Sequence, residues 1–366
     1  MRRVVLVVLI AASAVVVALV IADRGGDGRP RRAAAESAST STTVPSTTTT
    51  TRPRRGSDQP VTIAFGGDTH FEGNLASQLA SNPSGMFAPI APTLSGADVA
   101  MVNLETAIAT GGSPDPKNYN FRAPPSAFEA LRVAGVDVVT MANNHGRDYG
   151  AEGFAETLAA KAQTPLAVLG VGANATEAYQ PWATTVKGQR LAFFAATDVL
   201  DDWLINSWSA TDSQPGLAST KGPGLERLVA GIRAARPRTD TIVVYLHWGV
   251  EGSTCPSPRQ QEVATALVAA GADIVVGSHA HRVMTAGRLN GALVDYGLGN
   301  FAFYNESGLS GVTGVLRVTV TGRDVDAYEW LPARISGGIP HLLSGSAAAS
   351  DVAAFDTRRA CAGLAP

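Results

Sequence analysis

From about residue 60 onward the chain alternates short β-branched and aliphatic runs with longer stretches whose apolar positions recur at helical spacing. The first kind reads as strands: VTIAF, DVAMV, VDVVTM, LAVLG, RLAFFAA, TIVVYL and DIVVG. The second reads as helices: PSAFEALRVAG, AEGFAETLAAKAQ, GLERLVAGIRAARP and PRQQEVATALVAAG, several closed by a glycine or proline that suits a helix end. Strands alternating with amphipathic helices predict an α/β domain. The C-terminal part changes character. There GALVDYGLGNFAF and GVTGVLRVTVTGRDVDAYEWLPARI read as a β-rich hairpin region, expected to form a second sheet packed on the first. No internal repeat is evident.

The N-terminus departs from this pattern. Residues 4–22, VVLVVLIAASAVVVALVIA, carry no charge and as a helix would be about 28 Å long, close to the hydrocarbon thickness of a bilayer. A transmembrane anchor is expected over residues 1–22. One alternative is a signal peptide that starts at Arg2 and Arg3 and is cleaved after Val20-Ile21-Ala22. A buried helix is the other, disfavoured by the lack of a polar face. Arg24, Arg29, Arg31 and Arg32 follow the run and compete with the N-terminal arginines, so local charge does not orient it. Residues 23–59 contain the tract SASTSTTVPSTTTTTRPRR, which cannot bury apolar surface and is expected to stay extended as a linker. Residues 60–366 form the globular domain. It is expected outside the cytoplasm, membrane-anchored, or secreted if the leader is cleaved.

At 366 residues and 45% apolar content the chain has ample material for a core. Its formal charge of −2 is spread without a basic stripe, which argues against a nucleic-acid partner. Cys255 and Cys361 suit an oxidising compartment, where a disulfide between them would tie the chain end to the body; the alternative is two separate thiols.

Ligands in α/β folds sit at the carboxyl ends of strands, and there the chemistry concentrates. VTIAFGGDTH ends in Asp68 and His70, DVAMVNLE in Asn103 and Glu105, VDVVTMANNH in Asn144 and His145, TIVVYLHWG in His247, and DIVVGSHAH in His279 and His281. Five of the six histidines therefore fall at strand ends; His341 is the exception, expected on the surface. A lone histidine at a strand end is usually a hydrogen-bonded loop residue. Five of them with Asp68, Glu105 and Asn144 form a mixed N/O set that suits borderline divalent metals such as Mn, Fe, Co or Zn. Two residues apart on an extended backbone, His279 and His281 should point the same way, as should Asp68 and His70. Gly66, Gly67 and Gly277 would let the backbone turn tightly at these ends.

The ordered set D-x-H, an acidic residue after the second strand, N-H, a lone His and H-x-H resembles the calcineurin-like metallophosphoesterase superfamily. More narrowly, FGGDTHFEGN, VNLETAI, NNHGRDYG, YLHWGVE, GSHAHRV and YGLGNFAF together resemble the CapA family of capsule, or poly-gamma-glutamate, biosynthesis proteins, over roughly residues 60–305. The resemblance implies a metallophosphatase-like αββα sandwich of two mixed sheets flanked by helices, and two divalent metal ions. It would put Asp68, His70 and His281 on one metal, Asn144, His247 and His279 on the other, and Glu105 between them. His145 would stay off the metals as general acid or transition-state stabiliser. The chain departs from the superfamily pattern in having Glu105 where Asp is usual, Asn103 where Gly-Asp precedes it, and Asn143-Asn144-His145 for Gly-Asn-His, so either Asn103 or Glu105 is the bridging candidate.

Around this set, Asp148 would either orient His145 or cap the following helix. Glu251 would orient His247 or be a solvated loop carboxylate, and Trp248 would wall the site. Arg122, in the loop NYNFRAPP, would take a carboxylate or phosphate bidentately or pair on the surface. Asn300 would cap the GLGNF turn or touch the site, with Tyr296 and Phe301 in the core. The function expected is metal-dependent, phosphoesterase-like hydrolysis in capsule or envelope-polymer formation, on a phosphoester or an anionic polymer. The alternatives are a noncatalytic polymer-binding or export subunit of a membrane synthase, and a metal-dependent peptidase or amidase.

Overall fold

A computed structural model describes residues 56–366. The expected anchor at residues 1–22 and most of the 23–59 linker lie outside the described residues. Among the described residues no helix is long and apolar enough to cross a membrane.

Every strand run read from the sequence lies in one of two sheets. In the first, Val61–Thr69, Val99–Leu104, Val138–Thr140 and Ala167–Leu169 run parallel in that order. On its other edge Val61–Thr69 pairs antiparallel with Val312–Thr321, followed by Asp324–Ser336 and Ile339–Leu342. Asn300–Ala302 joins Val61–Thr69 in parallel at its carboxyl end. The second sheet has Gln189–Thr197, Thr241–Trp248, Ile274–His279 and Ala292–Asp295 parallel at its centre, with Trp182–Val186 and Ala286–Leu289 antiparallel on its edges.

The sandwich follows from parity along the strands. Ile63, Phe65, Val99 and Met101 of the first sheet share one core with Phe193, Val243, Tyr245 and Val276 of the second. On the outer face of the first sheet, Ala64, Ala100, Val102 and Val139 pack on Leu75, Phe128, Leu131 and Phe154 from its helices. On the outer face of the second, Phe194, Val244, Leu246 and Val275 meet Leu228, Ile232, Val263 and Leu267. Parallel strands covered on both faces must be apolar throughout, which is why they read as unbroken runs. The helix Pro258–Ala270 is framed by a capping box of Ser257 and Gln260 and by Gly271 at φ 115°.

The C-terminal region does not form a sheet of its own. Val312–Thr321 extends the first sheet, whereas Ala286–Leu289 and Ala292–Asp295 extend the second. Both sheets are therefore mixed, and neither is built from one end of the chain. Cys255 and Cys361 are disulfide-bonded with Cα atoms 5.8 Å apart, joining the C-terminal helix to the loop after Thr241–Trp248. His341 is exposed, as expected, though it sits on the edge strand Ile339–Leu342. Tyr296 and Phe301 are core residues.

Candidate metal centre

The carboxyl ends of the parallel strands bring Asp68, Glu105, Asn144, His145, His247, His279 and His281 together. Asp68 stands beside Asn103 and Asn300 on its two neighbouring strands, at a point where the register of Val61–Thr69 shifts. The shift depends on Gly67, where an added Cβ would lie 1.9 Å from the Gly299 carbonyl oxygen. Asp68 Oδ1 accepts from Asn103 Nδ2 at 2.8 Å, and Oδ2 accepts from the His279 backbone N–H at 3.0 Å. His281 Nδ1 lies 3.3 Å from Oδ2, and His247 Nδ1 3.7 Å from Oδ1. Burial alone would raise the Asp68 carboxyl, but the His281 hydrogen bond and the nearby His247 outweigh it and hold the group well below its usual range.

Glu105 is fully buried, and neither carboxylate oxygen has a hydrogen-bond partner. Its near nitrogens are His247 Nε2 at 3.4 Å and His145 Nε2 at 3.9 Å from Oε1, too far or misaligned to bond. Burial and the adjacent Asp68 lift its carboxyl well above the usual range. Ligand atoms of Glu105, His279 and His281 lie within 4.8 Å of one another. A buried carboxylate without donors is costly unless a cation accompanies it, so the donor set fits a divalent metal. Asn103 is a poorer bridging candidate, because its amide donates to Asp68 and its Oδ1 accepts from Asn143 Nδ2 at 2.9 Å.

His247 Nε2 faces Asn144 Oδ1 at 2.7 Å and His279 Nδ1 at 3.1 Å. Burial, then the neighbouring imidazoles, depress His247 well below the usual histidine value and His279 to about 3. Burial opposes charge on His281 as well, yet Glu105, Asp68 and Asn300 raise its pKa to about 9. The neutral His247 and His279 rings present the nitrogen lone pairs a metal needs, and His281 would give up its proton on binding one.

The convergence of His279 and His281 does not come from strand alternation. Their strand ends at His279, and both residues have left-handed backbone, φ 95° and 52°. A turn folds His281 back to within 5.8 Å of the His279 ring, while its Nδ1 meets Asn300 Oδ1 at 2.7 Å. Asn300 thus touches the site.

His70 is set apart from the cluster. It follows the last residue of its strand, its Nδ1 accepts from the Glu72 N–H at 2.9 Å, and its ring lies among Phe121, Phe303 and Tyr304 at centroid distances of 4.7, 4.1 and 4.7 Å. The Tyr304 N–H lies 3.3 Å from His70 Nε2, so backbone N–H groups face both nitrogens of the ring. Burial and the charges of His145 and His281 hold it at about 3.

His145 is held from both sides. Its ring stacks on Phe121 at 4.0 Å, and its Nδ1 meets Asp148 Oδ2 at 2.6 Å. Asp148 also accepts from the Phe121 N–H at 2.7 Å and from Lys117 Nζ at 2.6 Å. Asp148 is therefore no helix cap: Gly150–Lys161 starts after Tyr149 without a side-chain cap bond. Lys117, which further bonds the Asn144 carbonyl, escaped the sequence reading because its loop has no periodicity to place it. Arg282 was also missed, though it lies within the GSHAHRV motif.

The expectations for Trp248 and Arg122 are corrected, and that for Glu251 is settled in favour of the solvated carboxylate. Trp248 lies on the far side of its strand from His247, fully buried, with Nε1 donating to the Tyr296 carbonyl at 3.0 Å beneath Gly277. Arg122 is spent on the Thr110 and Gly111 carbonyls, at 3.2 and 3.3 Å, and lies over the Tyr149 ring, away from the site. Glu251 is exposed on the rim of a cavity of about 230 Å³ over the cluster, while the His247 nitrogens face Asn103, Asn144 and His279.

Residues 62–305 match the family described as bacterial capsule synthesis protein PGA_cap. The capsule biosynthesis protein CapA of Bacillus anthracis is 33% identical over 225 residues, 60% of this chain and 53% of that protein. The PGA biosynthesis protein CapA of Bacillus subtilis (strain 168) is 31% identical over 188 residues, 51% of this chain and 48% of that protein. The chain spans about half the length of these curated relatives. A solved structure of a novel phosphatase from Mycoplasma pneumoniae is 12% identical, with a TM-score of 0.48, covering 76% of this chain and 95% of that one. With the family match running over most of the described domain, the chain belongs to the bacterial capsule synthesis protein PGA_cap family.

Proposed function

We propose that this family member is a metal-dependent hydrolase of the phosphoesterase type, working outside the cytoplasm on the membrane anchor expected at its N-terminus, in the formation of an anionic envelope polymer. The observation that carries the reading is Glu105, buried with both oxygens unpartnered among imidazoles. Asp68, Glu105, Asn144, His247, His279 and His281 would hold two divalent ions, of Mn, Fe, Zn or Co. Bound there, the metals would supply Lewis acidity and an activated water.

The chain's own contribution centres on His145. Asp148 and Phe121 fix its ring with Nε2 turned towards Glu105. Burial and Lys117 keep the imidazole neutral in the free chain, and the negative charge of a phosphoester beside it favours the protonated form. The water oxygen then forms its bond to phosphorus as the bond to the alkoxide breaks; the alkoxide takes the proton from His145 Nε2, and the proton of the water passes to solvent.

Metal analysis of the purified chain should find about two ions per molecule, and His145→Ala should lower hydrolysis of an activated phosphodiester by about 10²- to 10⁴-fold while that metal stays bound. Metal content near zero in the intact protein would overturn the reading. The names of the Bacillus relatives concern synthesis rather than cleavage, which favours one second reading: a noncatalytic subunit that binds polymer or assists a membrane synthase. Polymer output that persists in a folded, membrane-bound Asp68→Asn variant would select it.

A further inference from the structure

The mouth of the cavity is more aromatic than a metal centre requires. Phe121 supports His145 and Phe303 packs on His281 at 4.9 Å, so the two inner rings are used by the site itself. Tyr119 and Tyr304 continue this surface outward and are 64% and 40% exposed, although most large apolar side chains of the domain are buried. Tyr304 adjoins Phe303 at 5.3 Å and stands edge-on to Phe121 at 6.3 Å, so its ring extends a packed surface, and Tyr119 lines the same cavity.

Arg282 is the one lysine or arginine among the lining residues. Its Nη1 donates to the His281 carbonyl and to Ser310 Oγ, both at 2.7 Å, which anchors the guanidinium beside a residue of the centre. Arg282 is partly buried and lines the cavity, and these two bonds do not use its Nε and Nη2. Glu251 lines the same cavity, so the rim outside the metal centre offers one positive and one negative side chain.

We propose that Arg282, Tyr119 and Tyr304 form a subsite that selects phosphodiesters carrying a ring, a sugar or an arene, on one arm. Arg282 takes a nonbridging phosphoryl oxygen through its free N–H groups. The ring lies on Tyr119 and Tyr304, where offset or edge contacts reward a flat apolar face. Glu251 disfavours the second negative charge of a monoester. This rests on the phosphoester reading of the centre, but its test needs no turnover.

The test is calorimetric binding of diphenyl, dimethyl and phenyl phosphate to the full chain, as purified and after Mn loading. Diphenyl phosphate should bind about tenfold more tightly than dimethyl phosphate, the difference expected of one or two ring contacts. Tyr119→Ala with Tyr304→Ala should bring diphenyl phosphate down to the level of dimethyl phosphate, whereas Phe at both positions keeps the preference. Arg282→Ala should weaken both diesters, and Glu251→Gln should narrow the gap between phenyl and diphenyl phosphate. Equal affinity for the two diesters, or an aryl preference that survives in the double alanine variant, overturns the inference. Selective binding without hydrolysis would instead leave the subsite standing and remove the hydrolase reading.

Discussion

Glu105→Gln separates a metal ligand from a merely buried carboxyl, because the two roles predict opposite signs. In the metal-free chain Glu105 has no hydrogen-bond donor, and burial followed by Asp68 lifts its carboxyl well above the usual range. Leaving such a group unsatisfied costs about 1 to 3 kcal/mol. Glutamine keeps the shape and drops the charge, so the metal-free variant should be more stable than the parent by up to that amount. The sign with pH follows from linkage. A folded pKa above the unfolded one means that native stability is lost as pH rises from the unfolded towards the folded value, so the advantage of the variant should grow as pH rises above the ordinary glutamate range. Metal reverses the order. At a free metal concentration one hundred times the dissociation constant, the parent gains about 2.7 kcal/mol. If losing the carboxylate weakens binding about a hundredfold, the same concentration gives the variant about 0.4 kcal/mol. Urea unfolding of both proteins, chelator-treated and Mn-loaded, reads the crossover. A variant less stable than the parent without metal, and equally stabilised by metal, would refute the reasoning, since Glu105 would then be a structural residue whose partners had been missed.

Gly67→Ala should destabilise the domain by about 1 to 3 kcal/mol and reduce bound metal, because its Cβ would meet the Gly299 oxygen at 1.9 Å and the adjacent Asp68 N–H donates to that same oxygen; metal analysis with urea unfolding checks both. Reducing the Cys255–Cys361 bridge, which spans 106 residues, should cost about 4 kcal/mol, read as a fall in unfolding midpoint of the parent under reductant that a Cys255→Ser variant does not show. Asp295 is buried with Oδ2 unpartnered, and burial raises its pKa from 3.8 to about 8. Its native form holds a proton that the unfolded chain releases, so stability should fall by about 5 kcal/mol in all as pH climbs from 4 to 8; Asp295→Asn should flatten that slope, and an unchanged slope would exclude Asp295 as its source.

How much of the structure was legible depends on the range of the interaction that sets each feature. The strands could be read because burial on both faces demands an unbroken apolar run. The ends of those runs marked Asp68, Glu105, His145 and His247, whose placement needs only a strand to stop where its apolar text stops. Trp248 was legible too and was misplaced: the alternation that turns His247 into the site turns its neighbour into the core. What the text hides is pairing at a distance. Nothing within GVLRVTVTG says that it will add to Val61–Thr69 as an antiparallel neighbour, because strand partners are chosen by the assembled core and not by the run itself.

His279 and His281 show the same limit at shorter range. Period-two spacing predicted the right meeting by the wrong geometry. An extended segment would carry His281 onward along the strand direction, whereas φ of 95° and 52° at the two histidines turns the chain and lets Asn300 and Asp68 receive His281 from the neighbouring sheet. Left-handed backbone costs a nonglycine residue about 1 to 3 kcal/mol, and it persists only where the surroundings hold it. Here the His279 N–H is bonded to Asp68 and the His281 carbonyl to Arg282. Two strained positions, two residues apart at one strand end and each secured by a charged side chain, are a stronger sign of a functional centre than the histidine count, and that sign exists only once the backbone is folded.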